Sequence, residues 1–493
     1  MMAVQLWSME QCREFQVQES RSTAWKVKCL KSDEGCKWQL RACLKATHKT
    51  WEVTKLIPDH TCTSTASTND HRHLQSRIIA RRIVHFIKEN ALASVKQVQT
   101  HVKKTLHYDV SYKKAWIARC KAIEMVFGDW PTSFTKLPRF MAAMVYYNPG
   151  TIVVWEHHPC SLEILKTFGY MFWAFKPEID GFLSCRSVIS VDGTFLHSPY
   201  KAKLLLAVGQ DANNQIFPLA YAYVDEETNE SWNWFLRLLR QHVLKERQVC
   251  LISDRHKGIL NAIRLQRLWQ PPYAVHRLCL RHVRSNFNTK FHNTHLKKLC
   301  WDAGSTPQKR KFTKIMAEIE RIDAKAAKYL REIGKEELWT LAYDGGYRHG
   351  MLTTNISESF NNAIKGVRNL PIRAAVELVF TRIVKMFQDK KEDALHCQHP
   401  LPKRPWKIYR EAEIKGRKHS AVQFSLSDGI FNILTHIDES GKGGNTQTVC
   451  MKERSCTCGK WMITRIPCSH AMLACRMMSI NPITLVGQEY HNN

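Results

Sequence analysis

Long apolar runs are missing. No uninterrupted hydrophobic stretch approaches the ~20 residues that a membrane-spanning helix requires, and the amino-terminal MMAVQLWSMEQCREF lacks the apolar core of a secretion signal. Neither a lipidation signal nor a basic amphipathic membrane helix stands out. An intracellular protein with no membrane partner is expected. Acidic charge is also scarce: 44 Asp and Glu face 73 Lys and Arg, a formal net charge of +29 with a pI near 9.6. That imbalance suits a polyanionic partner, nucleic acid first. What is present, 44% hydrophobic and 24% charged residues, is the composition of a folded protein, and 493 residues exceed one ordinary core.

Seventeen cysteines in a reducing compartment argue for metal ligation or plain burial rather than a disulfide framework. The stretch CTCGKWMITRIPCSH places Cys456 and Cys458 one residue apart and Cys468 and His470 one residue apart. Two tight pairs returning on each other supply the four ligands of a tetrahedral zinc site, with Gly459 and Pro467 as bend residues. A second set lies in VKCLKSDEGCKWQL and IPDHTC, as Cys29, Cys36, His60 and Cys62, with Cys12 and Cys43 as competing ligands. Alternation around Trp38, Leu40, Trp51 and Val53 predicts a small antiparallel sheet stapled by that metal. Lys37 and Arg41, with Lys26, Lys28 and Lys45, add charge that would neutralise DNA phosphate.

TSTASTND at 63–70 reads as a linker, and SRIIARRIVHFIKEN beyond it has helical spacing. Ile78, Ile79, Ile83 and Ile87 mark one face, and Arg77, Arg81, Arg82 and Lys88 decorate the others. The middle third predicts strands at SVISVD, KLLLAVG and QIFPLAYAYV, then a helix at ESWNWFLRLLRQHVLK, a strand at VCLISD and a helix after it. A right-handed crossover would lay the first and fourth strands side by side and parallel, so that Asp192 and Asp254 meet at one edge. Two close carboxylates repel, and a divalent cation, magnesium or manganese, resolves the repulsion. TTNISESFNNAIKGVRNLPI offers a third carboxylate, Glu358, with Asn361 and Asn362 one turn on. The competing account is a capping box from Asn355 to Glu358.

In their order, SVDGTFL, ISDRHKGI and TTNISESFNNAIKGVRNLPI resemble the catalytic core of Mutator-like element transposases of plants. CTCGKWMITRIPCSH resembles their SWIM zinc finger. The Cys29 to Cys62 segment is similar to their zinc-dependent DNA-binding domain, of WRKY/GCM-like fold, with a shorter segment ahead of Cys29 than the family carries. The resemblance implies a multidomain α/β protein with an RNase H-like core and a catalytic DDE triad at Asp192, Asp254 and Glu358. It places the DNA-binding domain at 1–65, a basic helical linker or DNA-contacting region at 66–160 and the core at 161–390 with a helical insertion at about 278–345. A connecting region at 391–440 and the SWIM finger at 441–480 follow. Cys279 and His282 match a Cys-x-x-His motif of these enzymes, a structural or strand-handling element, with ordinary helix packing as the alternative.

The activity implied is metal-dependent cutting and joining of DNA at terminal inverted repeats, with two structural zinc ions and catalytic magnesium or manganese. The expected partners are double-stranded DNA and further copies of the chain on it. Nuclear residence follows from that substrate, although KRKFTK at 309–314 and KRPWK at 403–407 are only weak import candidates. A domesticated relative, acting as a DNA-binding transcription regulator without cleavage, is the alternative reading.

Overall fold

The computed structural model describes residues 2–63, 71–157, 168–196, 200, 202–364, 366–437, 439, 441 and 443–491. Most of the linker expected at 63–70 lies outside these residues. The fold is mixed α/β and divides into two units, one of residues 1–136 and 365–376, the other of 137–364 and 377–493.

In the first unit, four strands form an antiparallel sheet in the order β1 (Phe15–Ser20), β2 (Ala24–Cys29), β3 (Gln39–Lys45) and β4 (Thr50–Ile57). Its inner face buries Phe15, Trp25, Val27, Trp38 and Leu40, a core small enough to need a staple. Helices α1 (Ser76–Glu89), α2 (Val95–Leu106) and α3 (Tyr112–Phe127) follow. The isoleucines at 78, 79, 83 and 87 are all buried, while Arg77, Arg81, Arg82 and Lys88 lie outside that face, as the 3.6-residue period requires.

The second unit is built on a seven-stranded sheet in the order β11-β10-β7-β8-β9-β6-β5. Its strands are β5 (Ile152–His157), β6 (Phe168–Ala174), β7 (Val188–Phe195), β8 (Lys203–Gln210), β9 (Ile216–Val224), β10 (Val249–Ser253) and β11 (Ala274–Leu278). Strands β7 to β9 form an antiparallel meander; the chain then crosses through helix α4 (Asn229–Leu238), and β10 pairs parallel with β7. Near-continuous apolar runs in β8, β9 and β10 leave their residues almost wholly buried, the pattern of a sheet covered on both faces. Trp232 and Phe235 of α4 pack with Ile189, Leu205 and Leu251, and truncating either ring would cost ~3–5 kcal/mol.

Helix α5 (Lys257–Leu265) follows β10, and after β11 come the helices α6 (Leu280–Phe291), α7 (Thr294–Ser305), α8 (Lys309–Ile322) and α9 (Ala324–Glu332), which share a core around Phe287, Leu296, Ile319 and Leu330. Helix α10 (Asn355–Ala363) returns to the sheet, followed by α11 (Ile372–Leu395) and α12 (Lys403–Gly416). A second four-stranded sheet, β12 (Ser420–Ser425), β13 (Ile430–Leu434), β14 (Thr446–Cys450) and β15 (Ser455–Cys456), leads into short helices α13 (Lys460–Thr464) and α14 (Ser469–Met477).

Candidate active site and zinc centres

Parallel pairing sets the carboxylate edge. Ile252 lies opposite Ser190, and two residues further along the same register Asp254 stands beside Asp192. Burial first, then the charge of Asp254, push the Asp192 carboxyl up to about 6, against the pull of the Gly193 amide. Each aspartate is held by the backbone just beyond it: the Gly193 N–H donates to Asp192 Oδ1 at 3.0 Å, and the His256 N–H donates to Asp254 Oδ1 at 2.9 Å. The turn role open to an isolated aspartate is thus real at Asp254, but it occupies one oxygen and leaves the other for a cation.

Helix α10 docks on this edge. Ser357 Oγ donates to Ser190 Oγ at 2.7 Å, and Asn361 Nδ2 donates to Asp192 Oδ2 at 2.9 Å. The capping-box account of Glu358 is corrected here. Thr354 is the N-cap and Asn355 already lies inside the helix, so Glu358 sits one position too far along, and its carboxylate accepts from the Arg281 guanidinium instead. Asp192, Asp254 and Glu358 therefore share one neighbourhood without a convergent ligand set. Among the described residues, groups of ligand atoms within 4.8 Å of one another occur only at the two Cys/His clusters.

Cys279 follows β11 as the N-cap of α6, against the start of α10. Its Sγ accepts from the Thr354 N–H at 3.3 Å and hydroxyl at 3.4 Å. Burial would push this thiol up, but His282 and Thr354 outweigh it and hold it down at about 6. Cys279 thus touches the N-cap of the helix that carries Glu358, while His282 sits beside Arg281. Sequence reasoning misses two carboxylates. Glu227 reads as a loop acid in VDEETNES, yet its carboxyl carbon lies 2.5 Å from where a Cβ on Gly193 would stand, which puts it beside Asp192. Glu227 is paired with Lys203 at 3.1 Å. Glu178 lies in the core, where burial pushes its carboxyl up to about 8 despite hydrogen bonds from the Tyr221 hydroxyl and the Phe175 amide.

The amino-terminal cluster gathers Cys29, Cys36, His60 and Cys62 and leaves Cys12 and Cys43 out. Cys29 Sγ lies 3.6 Å from Cys62 Sγ, and His60 Nδ1 lies 3.5 Å from Cys36 Sγ and 3.7 Å from Cys62 Sγ. Ligand bonds of ~2.0–2.3 Å in a tetrahedron demand edges of about this length, so the set fits zinc. Burial would push Cys36 up, but the amides of Trp38 and Cys62 outweigh it and hold the thiol down at about 5, favouring the thiolate a metal takes. On the sheet beside it, Arg41 is in register with Lys26 on one side and Lys55 on the other. Like charges directly opposed destabilise a sheet; on its other side Lys26 is in register with Glu19 of β1. Lys37 is exposed near this row of cations.

The carboxyl-terminal cluster, Cys456, Cys458, Cys468 and His470, is buried throughout. His470 Nδ1 lies 3.7 Å from Cys456 Sγ and 3.8 Å from Cys468 Sγ, while its Nε2 is 3.0 Å from Thr435 Oγ1, the outer partner that fixes a ligating imidazole. Gly459 has φ +74°, and a Cβ there would strike the Pro307 carbonyl oxygen at 2.6 Å, so the turn between the ligand pairs requires glycine.

Residues 188–286 match the MULE transposase domain. Residues 447–478 match the SWIM zinc finger. The transposase domain runs from β7 into α6 and holds Asp192, Asp254, Cys279 and His282, while Glu358 lies beyond the matched segment; the SWIM finger holds all four carboxyl-terminal ligands. This pairing is that of a MULE-type transposase with SWIM, and a transposase domain implies binding to DNA. No curated protein matches the chain. Among the described residues, no helix is long and apolar enough to cross a membrane.

Proposed function

We propose that this chain is a DNA transposase with an RNase H-like core, which cuts and joins DNA at terminal inverted repeats in the nucleus. The single observation that carries the reading is the parallel β7/β10 pair, which sets Asp192 beside Asp254 inside the matched transposase domain. The strand order β9-β8-β7-β10-β11, an antiparallel meander extended by two parallel strands, supports the RNase H-like assignment.

Asp192, Asp254 and Glu358 would hold magnesium or manganese, the hard cations that carboxylate oxygens suit. When bound, such ions lower the pKa of an attacking water or hydroxyl and neutralise charge at the phosphate and the leaving 3′ oxygen. The protein's own part is positional. The Gly193 and His256 amides orient the two aspartates, Asn361 steadies Asp192, and Cys279 contacts the start of α10, the helix that carries Glu358. The cation row at Lys26, Arg41 and Lys55, with Lys37, would bind repeat DNA, and copies of the chain would assemble on it.

One observation favours a regulator that binds DNA without cutting it: the Arg281 guanidinium already neutralises Glu358. Duplex DNA bearing the parent element's terminal repeats, incubated with each metal, tests the proposal. Nicking that depends on magnesium or manganese supports the transposase, and binding without nicking supports the regulator.

A further inference from the structure

Asp192 lies midway along β7 and Asp254 just beyond the end of β10; where the same strands begin, a cavity of about 1860 Å³ opens. Ser187 and Gln248 line it from the sheet, Lys391 from α11, Lys403 and Arg404 from α12, and Arg454 and Arg465 from the SWIM finger. Among the described residues, the side chains of these five cations have neither hydrogen bond nor ion pair. Four acids share the lining, Asp211, Asp393, Glu453 and Glu489, and Asp211 is already taken by Lys390.

His349 gives a second, independent indication. Its side chain is 8% exposed, and its Nδ1 lacks a hydrogen bond, with the Glu489 carboxylate 3.5 Å away. Burial, then the charges of Arg465, Arg186 and Arg247, push the imidazole down to about 3. The imidazole is therefore neutral, and the guanidiniums around it leave this end of the cavity electropositive, offset in part by Glu489. Small-molecule pockets hold ~300–1,000 Å³, so this volume suits a polymer. Leu183 and Met462, both exposed, and the half-buried Phe387 supply apolar lining, which the bases of an unpaired strand would use and a duplex backbone would not.

We propose that this cavity binds a single DNA strand, its phosphates on the unpaired cations and its bases against the apolar lining. The SWIM finger forms one wall. A zinc held by Cys456, Cys458, Cys468 and His470 would fix both ends of the loop at 459–467, and that loop packs on the chain near His349, where a Cβ on Gly346 would strike the Met462 carbonyl oxygen at 2.4 Å. The inference rests on the transposase reading, which supplies DNA as the substrate.

The test uses the full zinc-loaded chain carrying Asp192→Asn to prevent cutting, and measures fluorescence anisotropy with an oligothymidine strand and a duplex of equal length. Lys403→Ala, Arg454→Ala and Arg465→Ala combined should weaken strand binding about tenfold or more, and lower the log–log salt slope by ~0.7 for each phosphate no longer neutralised. Duplex affinity should stay within about twofold. Unchanged strand affinity, or an equal loss for strand and duplex, overturns the proposal. Should the triple variant lose zinc, Lys391→Ala with Lys403→Ala, both outside the finger, decides on the same criteria. Nicking by the unsubstituted chain reports separately on the transposase reading. Nicking without a strand effect removes the cavity proposal alone, and a strand effect without nicking removes only the transposase.

Discussion

The Arg281 guanidinium is bound to the Glu358 carboxylate, so the third acid of the proposed triad must exchange an arginine for a metal ion before it can act. Arg281 lies at the start of α6, inside the matched transposase domain, and Glu358 on α10, outside it. Both side chains are about one-third exposed, which keeps the pair weak enough to open.

Replacing Arg281 with glutamine should therefore lower the magnesium concentration for half-maximal nicking, by about two- to fivefold for a pair of this exposure. Metal titration of the nicking rate measures it. A higher magnesium requirement would instead make Arg281 a support for Glu358.

Zinc content should be two ions per chain, one in each Cys/His cluster. Cys468→Ser should release one ion and lower the melting temperature, because metal-binding free energy at a buried four-ligand site is folding free energy. Elemental analysis before and after the substitution checks this.

Glu178 makes stability depend on pH. Its folded pKa is raised, by burial first, from 4.5 to about 8. Between these values the unfolded chain releases the proton and the folded chain keeps it, so this residue's contribution falls as pH rises from about 4.5 to about 8 and then levels. Glu178→Gln should flatten that part of the profile. It should not exceed the parent at pH 5, since the amide nitrogen cannot accept the hydrogen bond that the Phe175 N–H donates. Urea denaturation across this range measures both effects.

The cation row on the first sheet should carry duplex binding. Charge reversal at Lys26, Arg41 and Lys55 should reduce the log–log salt slope by ~0.9 for each phosphate no longer neutralised. Anisotropy with repeat duplex at several salt concentrations gives the slope. An unchanged slope would move duplex recognition elsewhere.

What was legible in the sequence followed from period and spacing. The isoleucines of α1, the apolar runs of β7 to β10 and the tight Cys/His pairs each encode their own local geometry. The hairpin of β5 and β6 was not read, because VVWEH and FGYMFWA carry no turn signal within the strands and gain their meaning only by pairing onto β9. Glu227, Arg281 and Glu178 were invisible for a related reason. Each is an ordinary charged residue in its own segment and acquires its role from a partner 34, 77 or 43 residues away: Gly193, Glu358 and Tyr221. The SWIM ligands were readable, but the cavity that the finger walls is a product of chain segments far apart in sequence.

The most direct test of the central claim is metal-dependent nicking of terminal-repeat duplex by Asp192→Asn, Asp254→Asn and Glu358→Gln, with binding measured on the same samples. Each substitution keeps the side chain's size and removes the anionic oxygen that a divalent cation needs. The account predicts that all three bind the duplex at least as tightly as the parent while nicking falls by about a hundredfold or more. Nicking at the parental rate by any one of them, or nicking restored simply by raising the DNA concentration, would contradict it.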